Sequence, residues 1–240
     1  MENTRKDFFI KNIFSTVAPR IDFLSTLFSF GLCDAWRKKA VALSGLREDD
    51  KVLDACTGTG ELALELVKNI GPRGSLVGVD FCPEMLNLAR EKVKNNANPR
   101  PKNVSFVLSD AKRLSFQDDS FDLVTVGFGM RNIPDTIAAL REVHRVLKPG
   151  GRFTCLELTR PENRWFLPFY SGYLFHVIPF IGKLVMKTAA PYSYLPVSID
   201  SFYSPGQFGR VIARCGFVDV GIHPMSLGTA TIFTAHKEIL

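Results

Sequence analysis

From residue 51 onward, short apolar runs alternate with stretches whose apolar residues recur three and four positions apart. "KVLDAC" reads as a buried strand and "ELALELVKNI" as an amphipathic helix. "GSLVGVD", "NVSFVLSD", "SFDLVTVGF" and "RFTCLEL" repeat the strand pattern, and "PEMLNLAREKVKNN" repeats the helical one with Pro83 near its first turn. "TIAALREVHRVL" is a further helix, closed by "KPGG". A helix, "PGQFGRVIARCG", and two strands, "FVDVGIHP" and "GTATIFTAHK", complete the chain. Strands that alternate with helices through short loops predict an α/β fold: a Rossmann-like, doubly wound sheet, mostly parallel, with a C-terminal antiparallel strand.

Two stretches lie outside this alternation. Residues 1–45 carry Phe8, Phe9, Ile13, Phe14, Phe23, Leu27, Phe28 and Phe30 at helical spacing, and are expected to form a helical lid over the carboxyl edge of the sheet. Residues 46–240 then form the main domain, with an aromatic-rich helical insertion at about 161–200 that Pro168, Gly172, Pro179 and Gly182 interrupt. Trp165 to Met186 is about the length a bilayer span needs. Because the chain afterwards returns to a helix and two strands of the same sheet, a surface cover or substrate wall is the better reading.

Composition narrows the function. A chain of 240 residues, 46% hydrophobic and 22% charged, can bury a sizeable core as one elaborated domain. The net charge of +6 suits an anionic surface, yet no basic run is interleaved with stacking aromatics, so nucleic acid is not expected as a partner. Cys33, Cys56, Cys82, Cys155 and Cys215 form no CxxC pair, which argues against a metal centre or a disulfide framework. The first 20 residues lack the apolar core of a secretory signal, so a cytoplasmic protein is expected.

The candidate chemistry lies at the strand ends. "CTGTG" follows the first strand, where an open parallel sheet binds its ligand. Gly58, Gly60 and Ala63 also spell GxGxxA, a tolerated dinucleotide fingerprint, and a phosphate or an amino-acid carboxylate would both suit the free N–H groups beyond it. Asp80 ends the second strand, placed to accept from two ribose hydroxyls, and cofactors of either kind use such an acid. Asp54 tips the balance: an anion at the end of the first strand repels pyrophosphate and favours a cation, unless it only ties the loop together. Asp110 and Ala111, after the third strand, suit an adenine amino group and ring nitrogen. A neutral or positive adenosyl ligand fits this set; an NAD-dependent oxidoreductase fits it less well.

"VLDACTGTGELAL", "GVDFCPEMLNLAR", "SDAKRLSFQDDSFDLVTVGFGMRNIPD", "ALREVHRVLKPGGRFTCLEL" and "SYLPVSIDSF" together resemble the UbiE/MenG family of S-adenosylmethionine-dependent C-methyltransferases, which act on the quinol ring in menaquinone and ubiquinone synthesis. The resemblance runs from about "STVAPRID" to "TAHK". It implies S-adenosyl-L-methionine as cofactor, held by Thr59, Asp80, Asp110, Ala111 and backbone near Gly127, with Asp54, Gly58, Gly60, Phe81 and Met85 completing that wall. A prenylated quinol is the implied substrate, most simply demethylmenaquinol. Other small or lipidic phenols, or a silent cofactor-binding partner in a quinone-synthesis complex, are the alternatives. The chain departs from the family pattern at Ile21, Ser25, Cys33, Cys56, Glu61 and Thr159, where tyrosine, asparagine, histidine, glycine, aspartate and serine are usual.

For catalysis a ring carbon must be aligned and the neighbouring hydroxyl ionised. Arg131 in "GFGMRN" is the candidate for stabilising a phenolate, with a structural salt bridge as the alternative. Proton removal falls to water held by Arg131 and Asn132, with Asp22 or His176 as further candidate bases. An apolar tail and a basic lid suggest weak peripheral contact with the inner face of a membrane; a homodimer is left open.

Overall fold

The computed structural model describes residues 2–96, 103–186 and 190–239. Its centre is a seven-stranded sheet of order β3-β2-β1-β4-β5-β7-β6. The strands are β1 (Lys51–Ala55), β2 (Ser75–Asp80), β3 (Val104–Leu108), β4 (Phe121–Gly127), β5 (Leu147–Leu158), β6 (Phe217–Met225) and β7 (Ala230–Lys237). β1 to β5 pair in parallel, and β7 runs antiparallel to both β5 and β6. The chain winds from β1 outward to β3 and resumes at β4 on the other side of β1. That reversal opens a crevice at the carboxyl ends of β1 and β4.

Burial on both faces explains the nearly continuous apolar strands. Leu53 and Ala55 of β1, with Val124 and Val126 of β4, join a core with Ala139, Leu140 and Val143 of α6 (Thr136–Val146) and Phe208 and Ile212 of α10 (Pro205–Arg214). Val52 and Leu123 face the other way, against Leu62, Ala63 and Leu66 of α4 (Glu61–Val67) and Val41 of α3 (Leu32–Leu43). Asp54 and Thr125 share this second parity, and they lie side by side as register partners where the apolar layer gives way to the site. α5 (Pro83–Asn96) follows β2 and leans on α4, where Gly60 meets Ala89.

β5 starts earlier than the sequence pattern predicts. The "KPGG" segment is part of the strand: Leu147 pairs with Phe121, then a register shift absorbs the turn at Gly150 (φ +73°) before Arg152 pairs with Leu123. The helical stop signal is correctly placed, but extended backbone resumes at once because the β4 edge is open to pair with it.

The segment 1–45 divides its work. α1 (Glu2–Val17) and α2 (Ile21–Phe28) lie over the carboxyl edge of the sheet, whereas α3 packs flat on it through Cys33, Trp36 and Ala40 against Leu156, Ala230 and Ile232. The insertion forms α7 (Leu167–Gly172), a π-helical turn (Tyr173–Val177), α8 (Ile178–Met186) and α9 (Ala190–Asp200). Leu174, Ile178 and Ile199 close on Leu24 of α2, so lid and insertion share one small core. Among the described residues, no helix is long and apolar enough to cross a membrane.

Candidate active site

The loop after β1 is shaped by its backbone. Cys56 (φ +56°), Gly58 (φ +55°) and Gly60 (φ +82°) occupy the left-handed region, which explains why glycine is usual where Cys56 stands. A Cβ on Gly58 would meet nothing within 4 Å, while one on Gly60 would lie 3.0 Å from the Ala89 Cβ. The first glycine keeps the loop open toward the crevice and the second lets α4 start against α5.

Two buried acids hold this loop. Asp54 accepts from Thr57 Oγ1 (2.6 Å) and Thr125 Oγ1 (2.7 Å). Burial pushes its carboxyl up to about 6, the two hydroxyls pull it down, and the charge of Asp80 adds to the rise. Asp80 accepts from the N–H groups of Gly58 (2.9 Å) and Cys82 (2.9 Å); burial raises it to about 6 as well, against those donors and the Phe81 N–H. Asp54 ties the loop together, and its residue also lines the crevice.

Nine of the ten cofactor candidates line a single cavity of about 700 Å³: Asp54, Gly58, Thr59, Asp80, Phe81, Met85, Asp110, Ala111 and Gly127; the tenth, Gly60, is the N-cap of α4. Asp110 is exposed and accepts from the Lys112 N–H at 2.9 Å, and Ala111 is buried beside it. Ser109 Oγ, buried in the same wall, has no hydrogen-bond partner among the described residues. An orphaned hydroxyl, an open glycine cradle and an acid at the end of β2 fit an adenosyl group.

The cavity continues into an apolar half lined by α1, α2, α7 and α9, and Arg131 stands there. The strand β4 ends at Gly127, and Phe128 (φ +57°) turns the chain into a short 3-10 helix, Met130–Asn132. The Phe128 carbonyl accepts from Arg131 Nη1 (2.7 Å) and Asn132 Nδ2 (3.1 Å), so the strained turn is braced by the side chains it presents. Arg131 is 8% exposed and forms an ion pair of 2.5 Å with Glu157, which is fully buried at the end of β5. Asn132 accepts a hydrogen bond from Tyr194 of α9 at 3.1 Å.

The other base candidates are placed differently. Asp22 accepts from Thr59 Oγ1 (2.6 Å) and pairs with Lys92 of α5 (2.5 Å), which also pairs with Glu61. It bridges lid, loop and α5. His176 is exposed and lies outside the cavity wall. Glu157, Tyr170 and Tyr194 were not singled out by the sequence reading; an acid inside the otherwise apolar "CLEL" was the available signal for the first. Among the described residues no cluster of His, Cys, Asp or Glu could hold a metal.

This sheet order, with an acid at the end of β2 and the loop after β1 open to the crevice, defines a class I S-adenosylmethionine-dependent methyltransferase fold. Solved structures share it: a SAM-dependent methyltransferase from Aquifex aeolicus superposes with a TM-score of 0.64 at 21% identity, covering 90% of this chain and 97% of its own. The [4+2]-cyclase SpnF superposes at 0.69 with 16% identity and 96% coverage of each chain, which shows that the fold alone does not fix the reaction. The model of the ubiE/COQ5 methyltransferase family matches residues 1–237, and the chain belongs to that family. It is 41% identical over 236 residues to the ubiquinone/menaquinone biosynthesis C-methyltransferase UbiE of Geobacter sulfurreducens, covering 98% of this chain and 91% of that one. It is 37% identical over 229 residues to the demethylmenaquinone methyltransferase of Staphylococcus aureus, covering 95% and 93%.

Proposed function

We propose that the protein methylates a ring carbon of a prenylated quinol, with demethylmenaquinol as the first candidate. The observation that carries this reading is a buried guanidinium, Arg131, in the apolar half of a cavity whose other half holds the acids suited to an adenosyl group. When bound, S-adenosylmethionine supplies a sulfonium methyl, whose carbon–sulfur bond breaks as the ring carbon takes it. Asp80 binds the ribose hydroxyls, Asp54 keeps the loop in register, and Asp110 with Ala111 meets the adenine edge. Arg131 stabilises the ionised quinol hydroxyl, which pushes electron density onto the neighbouring ring carbon. That carbon then passes its proton to water held by Arg131 and Asn132, and the ring regains aromaticity. Lid and insertion exclude water and bury the tail, at about 0.8 kcal/mol per methylene.

Asp22 we assign to closing the lid, since each of its carboxylate oxygens already holds a partner. A second reading, another lipidic phenol as substrate, is favoured by one observation: Ile21, Ser25 and Cys33, the lid departures from the family pattern, all line the cavity. The exposed rings of Phe23 on α2 and of Trp165, Phe169 and Phe180 on the insertion further support reversible contact with a membrane surface.

The test is an anaerobic assay with labelled S-adenosylmethionine and a panel of naphthoquinols and benzoquinols, each offered oxidised and reduced. Label is expected on carbon and with the reduced form alone. Arg131→Ala is expected to lower turnover and to move the alkaline-rising limb of kcat upward by about 1–3 pH units, leaving S-adenosylhomocysteine affinity nearly unchanged. Equal rates for both redox states, or a methyl on oxygen, would overturn the reading.

A further inference from the structure

Glu157 occupies an unusual position for a carboxylate. It is fully buried at the end of β5, and both its oxygens are aimed at the turn that follows β4. Oε1 accepts from Arg131 Nη1 at 2.5 Å and from the Leu158 N–H at 2.8 Å, while Oε2 accepts from the backbone N–H of Arg131 at 3.1 Å. One acid therefore grips Arg131 at both ends, main chain and guanidinium. With Nη1 also donating to Phe128 at 2.7 Å, that nitrogen is fully committed. Arg131 Nε, by contrast, is buried without any partner among the described residues, and Nη2 donates to none of them either. Leaving a buried donor unpaired is costly, and a ligand that accepts from it removes that cost.

We propose that Glu157 is the positioning residue of the methyl-transfer site: it anchors one edge of the Arg131 guanidinium, leaves the remaining donors for the substrate's hydroxyl, and offsets the cation's charge. This rests on the quinol reading above. The surroundings leave the pair to set the local field. Tyr170 of α7 and Tyr194 of α9 face Arg131, and burial raises both phenols. Cys33 of α3, Cys56 of the loop and Cys155 of β5 are likewise raised by burial, so all five stay neutral near pH 7. Asp54, Asp80 and Asp110 lie toward the adenosyl half, where Cys56 feels their charges, and Arg37 and Asp34 are felt at Cys33.

The charge balance has a definite sign. A lone guanidinium would favour the phenolate more strongly than a paired one does, because Glu157 repels the same anion. Neutralising Glu157 should therefore make the bound hydroxyl ionise more easily, even as the loosened guanidinium loses its aim. A residue that merely braced the fold would not shift the ionisation in that direction.

The experiment is the pH dependence of kcat for the full chain with a short-prenyl naphthoquinol under dithionite, comparing wild type, Arg131→Ala, Glu157→Gln and Glu157→Asp. Glu157→Gln is expected to lower plateau kcat about tenfold or more with little change in KM, and to move the limb down by about one pH unit, opposite to Arg131→Ala. Glu157→Asp, which keeps the charge but withdraws it, is expected to lower kcat with a smaller downward shift, and it serves alone if the glutamine variant does not fold. Calorimetric affinity for S-adenosylhomocysteine should stay within about twofold in all variants. A limb that stays in place or moves up in both Glu157 variants overturns the proposal. If Arg131→Ala itself leaves the limb unmoved, it is the phenolate reading that has failed.

Discussion

At the scale of single residues, the most consequential feature is how many acids are buried beside the open loop. Asp54 and Asp80 both titrate near 6, raised chiefly by burial, so each is part-protonated in mildly acidic solution. Since the folded-state value lies above the ordinary aspartate range, the folded chain holds more protons than the unfolded one between about 4 and 6. Stability of the ligand-free protein contributed by these acids is full below that window and falls as pH rises through it. Ligand binding has the opposite trend: ribose hydroxyls and a cationic ligand favour the carboxylate of Asp80. Affinity for S-adenosylmethionine should therefore rise from pH 5 to 7, with proton release measurable by calorimetry in buffers of different ionisation enthalpy. Asp80→Asn should weaken binding by about 1–3 kcal/mol and flatten that slope. An unchanged slope would remove Asp80 from the site.

At the scale of elements, α2 matters most because Asp22 ties it to the cofactor loop. Asp22 links it to Thr59 and to Lys92, and Ser15 of α1 adds a 3.0 Å bond to Glu84 of α5. These contacts are partly exposed, so each is worth little alone, about 0–1 kcal/mol for an ion pair. Their joint effect is on opening. Asp22→Asn should speed S-adenosylhomocysteine release several-fold in stopped-flow measurements while changing Tm by no more than about 4 °C; an unaltered release rate would leave α2 a passive cover. The strand and helix types from 51 to 237 were legible because each is set by a local pattern of apolar residues. The early start of β5 was not, since it depends on an open β4 edge 26 residues earlier in the chain, at Phe121 opposite Leu147.

At the scale of the whole molecule, exposed aromatics cluster on the lid and the insertion. Trp165 is 80% and Phe169 78% exposed, and Phe23, Phe30 and Phe180 are exposed as well, with Phe30 and Phe169 also lining the cavity. Arg164 lies over the Trp165 ring at 5.7 Å, and Lys38, Lys39 and Lys183 are exposed on the same two segments. The membrane contact proposed above would bring an apolar tail from a bilayer to the cavity past these rings. Flotation with vesicles containing anionic lipid should show reversible binding that weakens with salt and falls several-fold in a Trp165→Ser, Phe180→Ser double variant, whose side chains lie outside the cavity wall. Turnover on a short-tailed, water-soluble quinol should be unaffected by that change if the rim serves delivery alone; equal vesicle binding by both proteins would remove the rim from that role.

The sequence by itself determined the alternating α/β order, the open loop after β1 and the acids at the strand ends, because each of these is written in contiguous residues and a fixed rule places them at one edge of a parallel sheet. It also marked Arg131 and Asn132 through the resemblance of "GFGMRN" to a family pattern. Tertiary structure decided which groups they meet. Glu157 reaches Arg131 only because β4 and β5 are parallel neighbours in a register that sets Gly127 beside Leu156, and Tyr194 reaches Asn132 only because α9 folds back over the crevice. Asp22, a candidate base along the chain, pairs with Lys92 once α5 brings that lysine to it. Pairings between segments far apart in sequence depend on strand register and helix packing, and those are properties of the assembled core that no local pattern encodes.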